Sequence, residues 1–304
     1  MARFTTRFDD QATAMEVAEG CDLSGKRVVV TGATSGLGEE TARVLAAKGA
    51  DVTLAVRDVD AGAQVAARIA ESTGSRQIRV ARLDLADRGS IAAFVADWTG
   101  PLHVLVANAG VMAVPETRTP EGWELQFAIN HLGHFELSLG LHRALAAAQG
   151  ARIVSVTSGA HMWSPVVFDD IHYVFRPYDT HQGYGQSKTA NVLFAVGAQA
   201  RWAGDGITTN AARPPAVITG LQRHIGGGGR IPKDSLRTIA QGAATSVLAA
   251  VAPELATAGG LYIDRCQEAE VVFRANSDRN GVAFYAVDPG NAERLWEESL
   301  RMLA

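Results

Sequence analysis

Val28-Val29-Val30-Thr31-Gly32-Ala33-Thr34-Ser35-Gly36-Leu37-Gly38 is an apolar run that ends in a cluster of glycines and continues into a helical pattern through Lys48. A strand, a glycine turn and a helix in that order form the context in which such a turn holds a dinucleotide. Glycine lets the backbone approach a pyrophosphate closely, and the amides and dipole of a helix start favour its negative charge. The spacing is Gly-x-x-x-Gly-x-Gly, not the commoner Gly-x-Gly-x-x-Gly, and a purely structural turn is the competing reading.

Strand-sized apolar runs recur at 52–56, 78–82, 102–106, 152–156, 207–212 and 261–263. Helical patterns separate them: an alanine-rich one to residue 70, then 90–98, 121–148, 190–203 and 235–251. A last helix opens at Asp288-Pro289, a capping residue followed by proline in the first turn. This alternation calls for an α/β fold: a single doubly wound domain of Rossmann type, with about seven parallel strands and helices on both faces. The ligand crevice then lies at the carboxyl ends of the strands, where the strand order reverses. Residues 1–24, polar with Ala14, Val17 and Ala18 scattered among them, read as an arm lying on the domain 25–304. No repeat or linker divides that domain. The long stretch 159–183, rich in glycine, proline and aromatics, is expected to be a functional loop. The segment 220–235, with its glycine run 226–229, is expected to be a lid.

With 304 residues and 47% hydrophobic composition the chain can bury a full core. A net charge of -4 argues against nucleic acid or an anionic membrane surface as partner. Two cysteines, Cys21 and Cys266, are too few for a disulfide framework and lack metal-ligand spacing. No apolar run approaches a membrane span, and the first ten residues carry no signal-peptide core, so a cytoplasmic location is expected.

Four further places carry chemistry. Tyr184 and Lys188 stand four apart on one expected helix, so a phenol and an ammonium share a face. A neighbouring cation favours the phenolate, but lowering a pKa near 10 by roughly three units takes about 4 kcal/mol, which calls for burial or a second positive charge. Asn130 is a poor helix-interior residue set between Ile129 and Leu132, which suggests a local bend or a hydrogen-bonding role. His131 and His134 beside it read as packing or supporting residues, because no third ligand recurs at metal spacing. Asn108-Ala109-Gly110 and Ser158 close the fourth and fifth strands.

Thr-Gly-x-x-x-Gly-x-Gly at 31–38, Asn-Ala-Gly at 108–110, Asn130, Ser158 and Tyr-x-x-x-Lys at 184–188 together resemble the short-chain dehydrogenase/reductase superfamily. The likeness covers about residues 24–265. Two segments, Glu19-Gly20-Cys21-Asp22-Leu23-Ser24-Gly25-Lys26 and Asn130-His131-Leu132-Gly133-His134-Phe135, look more like its retinol-dehydrogenase-like and WW-domain-oxidoreductase-like branch. The resemblance implies an oxidoreductase that interconverts a carbonyl and an alcohol by hydride transfer. Its substrate would be an apolar ketone, aldehyde or alcohol, and homodimers or homotetramers would be possible, with the run 193–200 as either a pairing face or core. Tyr184 would be the general acid/base and Lys188 would hold the nicotinamide ribose. Ser158 would bind the substrate oxygen and Asn130 a water leading to Lys188.

The implied cofactor contacts are Gly32, Ser35, Gly36, Leu37, Gly38, Arg57, Asp84, Leu85, Asn108, Ala109, Gly110, Tyr184, Lys188, Pro214 and Thr219, and no metal. Val56-Arg57 stands where NAD-using relatives place a carboxylate, so NADP is expected over NAD, with Arg57 paired to Asp58 or solvent as the bland alternative. Asp84 is either an adenine contact or a cap for the helix after it. Pro214-Pro215 replaces the family's usual Pro-Gly and leaves the nicotinamide end and Thr219 open. His161 and Trp163 are expected to shape the substrate pocket. A cofactor-binding sensor without turnover is the alternative reading from another class.

Overall fold

The computed structural model describes residues 3–225, 233–274 and 279–304. The chain runs α1 (Ala14–Val17), β1 (Arg27–Thr31), α2 (Gly36–Ala47), β2 (Asp51–Val56), α3 (Val59–Thr73), β3 (Ile78–Arg82), α4 (Arg88–Asp97) and β4 (Val104–Ala107). It continues through α5 (Leu125–Phe127), a π-helical turn (Ala128–Leu132), α6 (Gly133–Ala147), β5 (Ala151–Val156), α7 (Thr180–Trp202) and β6 (Ile207–Arg213). The rest is α8 (Ile239–Gly242), α9 (Ala244–Val251), β7 (Tyr262–Asp264), β8 (Gln267–Glu268), β9 (Val271–Val272), β10 (Val282–Ala283) and α10 (Pro289–Leu303).

The sheet has eight strands in the order β3-β2-β1-β4-β5-β6-β7-β8, one more than the sequence pattern suggests. All neighbours are parallel except β7 and β8, whose two-residue partner strand is too short to show in hydropathy. The chain leaves β1 in one direction through β2 and β3, then returns to β4 on the other side, so the strand order reverses between Thr31 and Ala107. Strand residues alternate between two cores: Val28, Val30, Leu54 and Val106 pack with α2 and α9, and Val29, Leu105 and Ile153 pack with α4, α6 and α7. Burial on both faces is why the strands read as unbroken apolar runs.

The N-terminal residues are fastened at two points. Phe4 and Glu268 exchange hydrogen bonds along the β8 edge, and Ala14, Val17 and Ala18 enter the core beside α9. At the other end, α10 lies on α7, with Trp296 packed edge-on against Phe135 and Trp202. The run 193–200 is therefore mostly core, covered within its own chain. Of the expected lid, 220–225 and 233–235 form short 3-10 helices, and 226–232, which hold the glycine run, lie outside the described residues. Both cysteines are free.

Candidate active site

The glycine turn fits its expected duty. Gly32 and Gly36 have φ of +64° and +60°, in the left-handed region that favours glycine. A Cβ on Gly32 would sit 2.7 Å from the Ala109 Cα, and one on Gly38 would sit 2.5 Å from both Asn108 Nδ2 and the Gly32 carbonyl. Ser35 caps α2 in extended conformation without spending its hydroxyl on the helix. The first amides of α2 have no partner within the helix, as at any helix start. Tight turn, close approach and open amides together make the cradle a pyrophosphate needs.

One buried threonine ties this turn to the next strand end. The Thr31 hydroxyl accepts the Asn108 and Ala109 amides, both at 2.9 Å, and donates to His134 Nε2 at 2.9 Å. Asn108 returns its own side-chain amide to the Thr31 carbonyl at 2.8 Å. His134 donates from Nδ1 to the Asn130 carbonyl at 3.0 Å, and burial drives its pKa down to about 4, so it stays neutral. His131 is equally buried, lowered to about 3, and rests on the Ser299 hydroxyl of α10. Both histidines are structural, and the described residues hold no cluster able to bind a metal ion.

Asn130 sits in the π-helical turn, where the Gly133 amide reaches back to the Ala128 carbonyl. This is the local bend that its position in an apolar helix suggested. The side chain is largely engaged: Oδ1 accepts the Val111 amide at 2.8 Å, and Nδ2 donates to the Val111 carbonyl at 3.0 Å and to Ser187 Oγ at 2.9 Å. Asn130 thereby fixes the loop after β4 to the turn of α7 that carries Tyr184. Gly110 lies beside it, where a Cβ would meet Asn130 Oδ1 at 3.1 Å and Lys188 Nζ at 3.6 Å.

α7 begins at Thr180, capped by the Asp179 carboxylate, so the loop after Ser158 is four residues shorter than the expected 159–183. The end of β5 is bolted to this helix. Thr157 donates to the Lys188 carbonyl at 2.7 Å, while Lys188 Nζ and Asn191 Nδ2 both donate to the Val156 carbonyl, at 3.1 and 3.0 Å. Tyr184 and Lys188 are 4% and 3% exposed. Burial pushes the phenol up to about 12, and the nearby Ser158 hydroxyl pulls the other way. Burial also brings Lys188 down to about 8. The ammonium lies 5.7 Å from the centre of the phenol ring, yet burial still keeps Tyr184 protonated. Lys188 therefore does not by itself offset desolvation, and a second cation is still required to bring the phenol toward neutrality.

At the other end of the crevice Arg57 is exposed and, among the described residues, makes no hydrogen bond or ion pair. Asp58 is occupied instead in capping α3 through the Ala61 amide at 3.0 Å. Asp84 Oδ1 accepts the Ala86 amide at 3.0 Å, a local cap of the turn before α4, and Leu85 is buried with its carbonyl against Gly133. Past β6, Pro214 and Pro215 lead to Thr219, whose methyl would lie 3.3 Å from a Cβ on Gly36. The loop thus closes over the glycine turn despite the second proline. Gln222 holds it there, accepting the Thr219 amide at 2.9 Å and donating to the Val217 carbonyl at 2.8 Å, and Val217 packs near Leu37.

The rim beside Ser158 holds residues the sequence only half discloses. His161 is buried and neutral, lowered to about 4 by burial; Nδ1 donates to the Ser158 carbonyl at 2.9 Å and Nε2 accepts the Ala283 amide at 3.0 Å. It supports the Ser158 turn instead of lining the pocket. Trp163 does line it, its ring 6.3 Å from that of Tyr184. Gln126, unmarked by any motif, joins three segments, accepting the Ala113 amide and donating to Tyr178 and to the Thr180 carbonyl.

A nucleotide cradle at the strand reversal, with a serine, a tyrosine and a lysine converging beside it, defines a dinucleotide-dependent oxidoreductase. The short chain dehydrogenase family model matches residues 26–227, and the chain belongs to that family. It is 48% identical over 289 residues to a "Probable oxidoreductase" of Streptomyces antibioticus, covering 91% of this chain and 97% of that one. It is 38% identical over 287 residues to human "Retinol dehydrogenase 12", covering 92% and 87%. An uncharacterised protein from Mycobacterium paratuberculosis superposes with a TM-score of 0.75 at 32% identity, covering 94% and 96%. The family and these names make the chain an oxidoreductase acting on CH-OH or C=O, of the retinol-dehydrogenase-like branch, with NAD(P) as cofactor. Among the described residues, no helix is long and apolar enough to cross a membrane.

Proposed function

We propose that this chain is an NADP(H)-dependent oxidoreductase that interconverts a carbonyl and an alcohol on a small-to-medium apolar substrate, with Tyr184 as general acid/base. The observation that carries this is the placement of the Ser158 hydroxyl near a buried Tyr184 phenol that burial keeps protonated, with Lys188 one helical turn on. A carbonyl oxygen placed between the two hydroxyls accepts a hydrogen bond from Ser158 as negative charge grows on it, and Tyr184 delivers the proton. In the reverse direction Tyr184 takes the alcohol proton. A bound nicotinamide supplies the hydride and, when oxidised, the additional positive charge the phenol needs. Lys188, whose ammonium flanks Gly110, would hold the ribose.

The preference for NADP rests on Arg57, a guanidinium that makes no ion pair among the described residues, while the neighbouring Asp58 is spent on capping α3. NADPH should bind at least tenfold tighter than NADH, and equal affinities in a fluorescence titration would overturn the assignment. Turnover of apolar ketones, aldehydes and alcohols, followed by NADPH absorbance across a broad panel, tests the substrate class; a panel with none reduced or oxidised rejects it. The Pro214-Pro215 pair favours one other reading, a cofactor-binding sensor without turnover. A Tyr184→Phe variant separates the two, because only an enzyme has carbonyl reduction to lose while retaining the cofactor.

A further inference from the structure

Beside the Ser158 turn the Arg213 guanidinium lies against the backbone of Arg279, and among the described residues one carboxylate, Asp264, pairs with Arg213. Arg213, at the end of β6, packs on Gly159, where a Cβ would lie 3.0 Å from its Nη2, and is paired with the buried Asp264 at 2.5 Å. Its Nη1 also donates to the Arg279 carbonyl at 2.9 Å. That bond helps hold Arg279 with φ of +51°, a left-handed conformation that a non-glycine residue adopts only when its surroundings impose it.

So held, the Arg279 guanidinium lies 5.1 Å from the centre of the Trp163 ring, the same ring that neighbours Tyr184. Among the described residues it makes no hydrogen bond and no ion pair. Partial burial and the Arg213 charge both act against its protonated form. A guanidinium resting on an aromatic ring keeps its in-plane N–H groups free, and their fork matches a carboxylate. Among the described residues the cation is thus unpaired, and Trp163 presents it on the rim of the substrate pocket.

We propose that Arg279, carried on Trp163, is a specificity-determining residue that binds a carboxylate borne by the substrate at a distance from its reacting carbonyl. The preferred substrates are then apolar oxo or hydroxy acids, their hydrocarbon part against Trp163 and their carboxylate on Arg279. This rests on the proposed carbonyl chemistry at Tyr184 and refines its substrate class, and its test is a binding measurement that needs no turnover.

The full chain with NADP⁺ is titrated calorimetrically with a phenylalkanoate and with its methyl ester, against the parent, Arg279→Gln and Arg279→Lys. The parent should bind the acid at least tenfold tighter than the ester. The Gln variant should bind the two alike and the ester as before, and the Lys variant should keep part of the preference, which a merely structural role for the side chain would not predict. Equal binding of acid and ester by the parent overturns the proposal, as does a preference that survives in Arg279→Gln, or no acid binding at millimolar concentration. Acid preference without any Tyr184-dependent turnover would reject the oxidoreductase reading and leave the anion site standing.

Discussion

At one end of the crevice Tyr184, Lys188 and Asn130 are buried, and burial displaces both titrating groups. At the other end Arg57 is exposed and, among the described residues, unpaired. The same sheet edge supports both, so the contrast lies in how each end gets its energy. The buried end works by desolvation, where a dipole or charge aimed at the reacting oxygen counts for far more than in water. The open end works by Coulomb attraction in high dielectric, which is weak per pair and screened by salt. Changes at the buried end should therefore act on rate by orders of magnitude, and changes at the open end on cofactor choice by about one.

Tyr184→Phe breaks the contrast most severely. It removes the one proton donor and keeps the ring that packs near Trp163, so kcat for carbonyl reduction should fall by about 10²–10⁴ with the NADPH Kd within a few-fold of the parent. Single-turnover kinetics and a cofactor titration on the same preparation decide it, and a variant that keeps a tenth of the parent rate removes Tyr184 from the chemistry.

Gly38→Ala tests whether the cradle is as rigid as its contacts suggest. The new Cβ would press on a backbone carbonyl and on Asn108, neither able to retreat without opening the β1–β4 reversal. Overpacking of this kind costs about 1–3 kcal/mol, and NADPH affinity should fall at least tenfold. Thermal unfolding with and without cofactor measures both, and unchanged values mean that the turn yields.

How much of this was legible beforehand follows the same division. The parallel sheet showed in its strand runs because burial on both faces removes the alternation that would have blurred them. Asn130 announced its π-helical turn by being a polar residue in an apolar helix. What escaped was held by contacts distant in sequence. The start of α7 at Thr180 hid behind two glycines and a polar stretch, and Asp179 looked like any loop aspartate. β8 to β10 are two residues long each, too short for any period. Gln126 and His161 carry no motif, since their value lies in bridging segments that meet only in the fold. The expected cap of α4 falls not on Asp84 but on Asp87, whose carboxylate takes the Gly89 and Ser90 amides, while Asp84 holds the Ala86 amide in the turn before it.

Arg57→Gln probes the open end. Without the guanidinium the NADPH over NADH preference should shrink about tenfold, almost wholly through weaker NADPH binding, and the parent's preference should itself decline as salt rises. Measuring both affinities at low and high ionic strength separates a phosphate contact from packing. A preference untouched by either the substitution or salt would move the discrimination to another residue.

The smallest effect is the one that joins the two ends. In the free chain Lys188 has its pKa lowered to about 8, against 10.5 for the unburied group, while Tyr184 holds its proton to about 12. If the ammonium helps to hold the ribose, the NADPH Kd should be flat to about pH 7.5 and weaken several-fold between 8 and 9.5. The phenol has not begun to titrate in that window, and a 2′-phosphate, with its second pKa near 6, has already finished. Lys188→Met should remove the break. The stability of the free protein supplies an independent sign. A lysine whose folded pKa is depressed penalises folding wherever it must be charged, fully below about 8, and the penalty fades as pH climbs from there toward 10.5. Lys188→Met should then raise Tm relative to the parent at pH 7, with the gap closing by pH 10. A gap that does not change with pH would mean that burial does not set the charge of Lys188, and the contrast between buried and open ends would lose its physical basis.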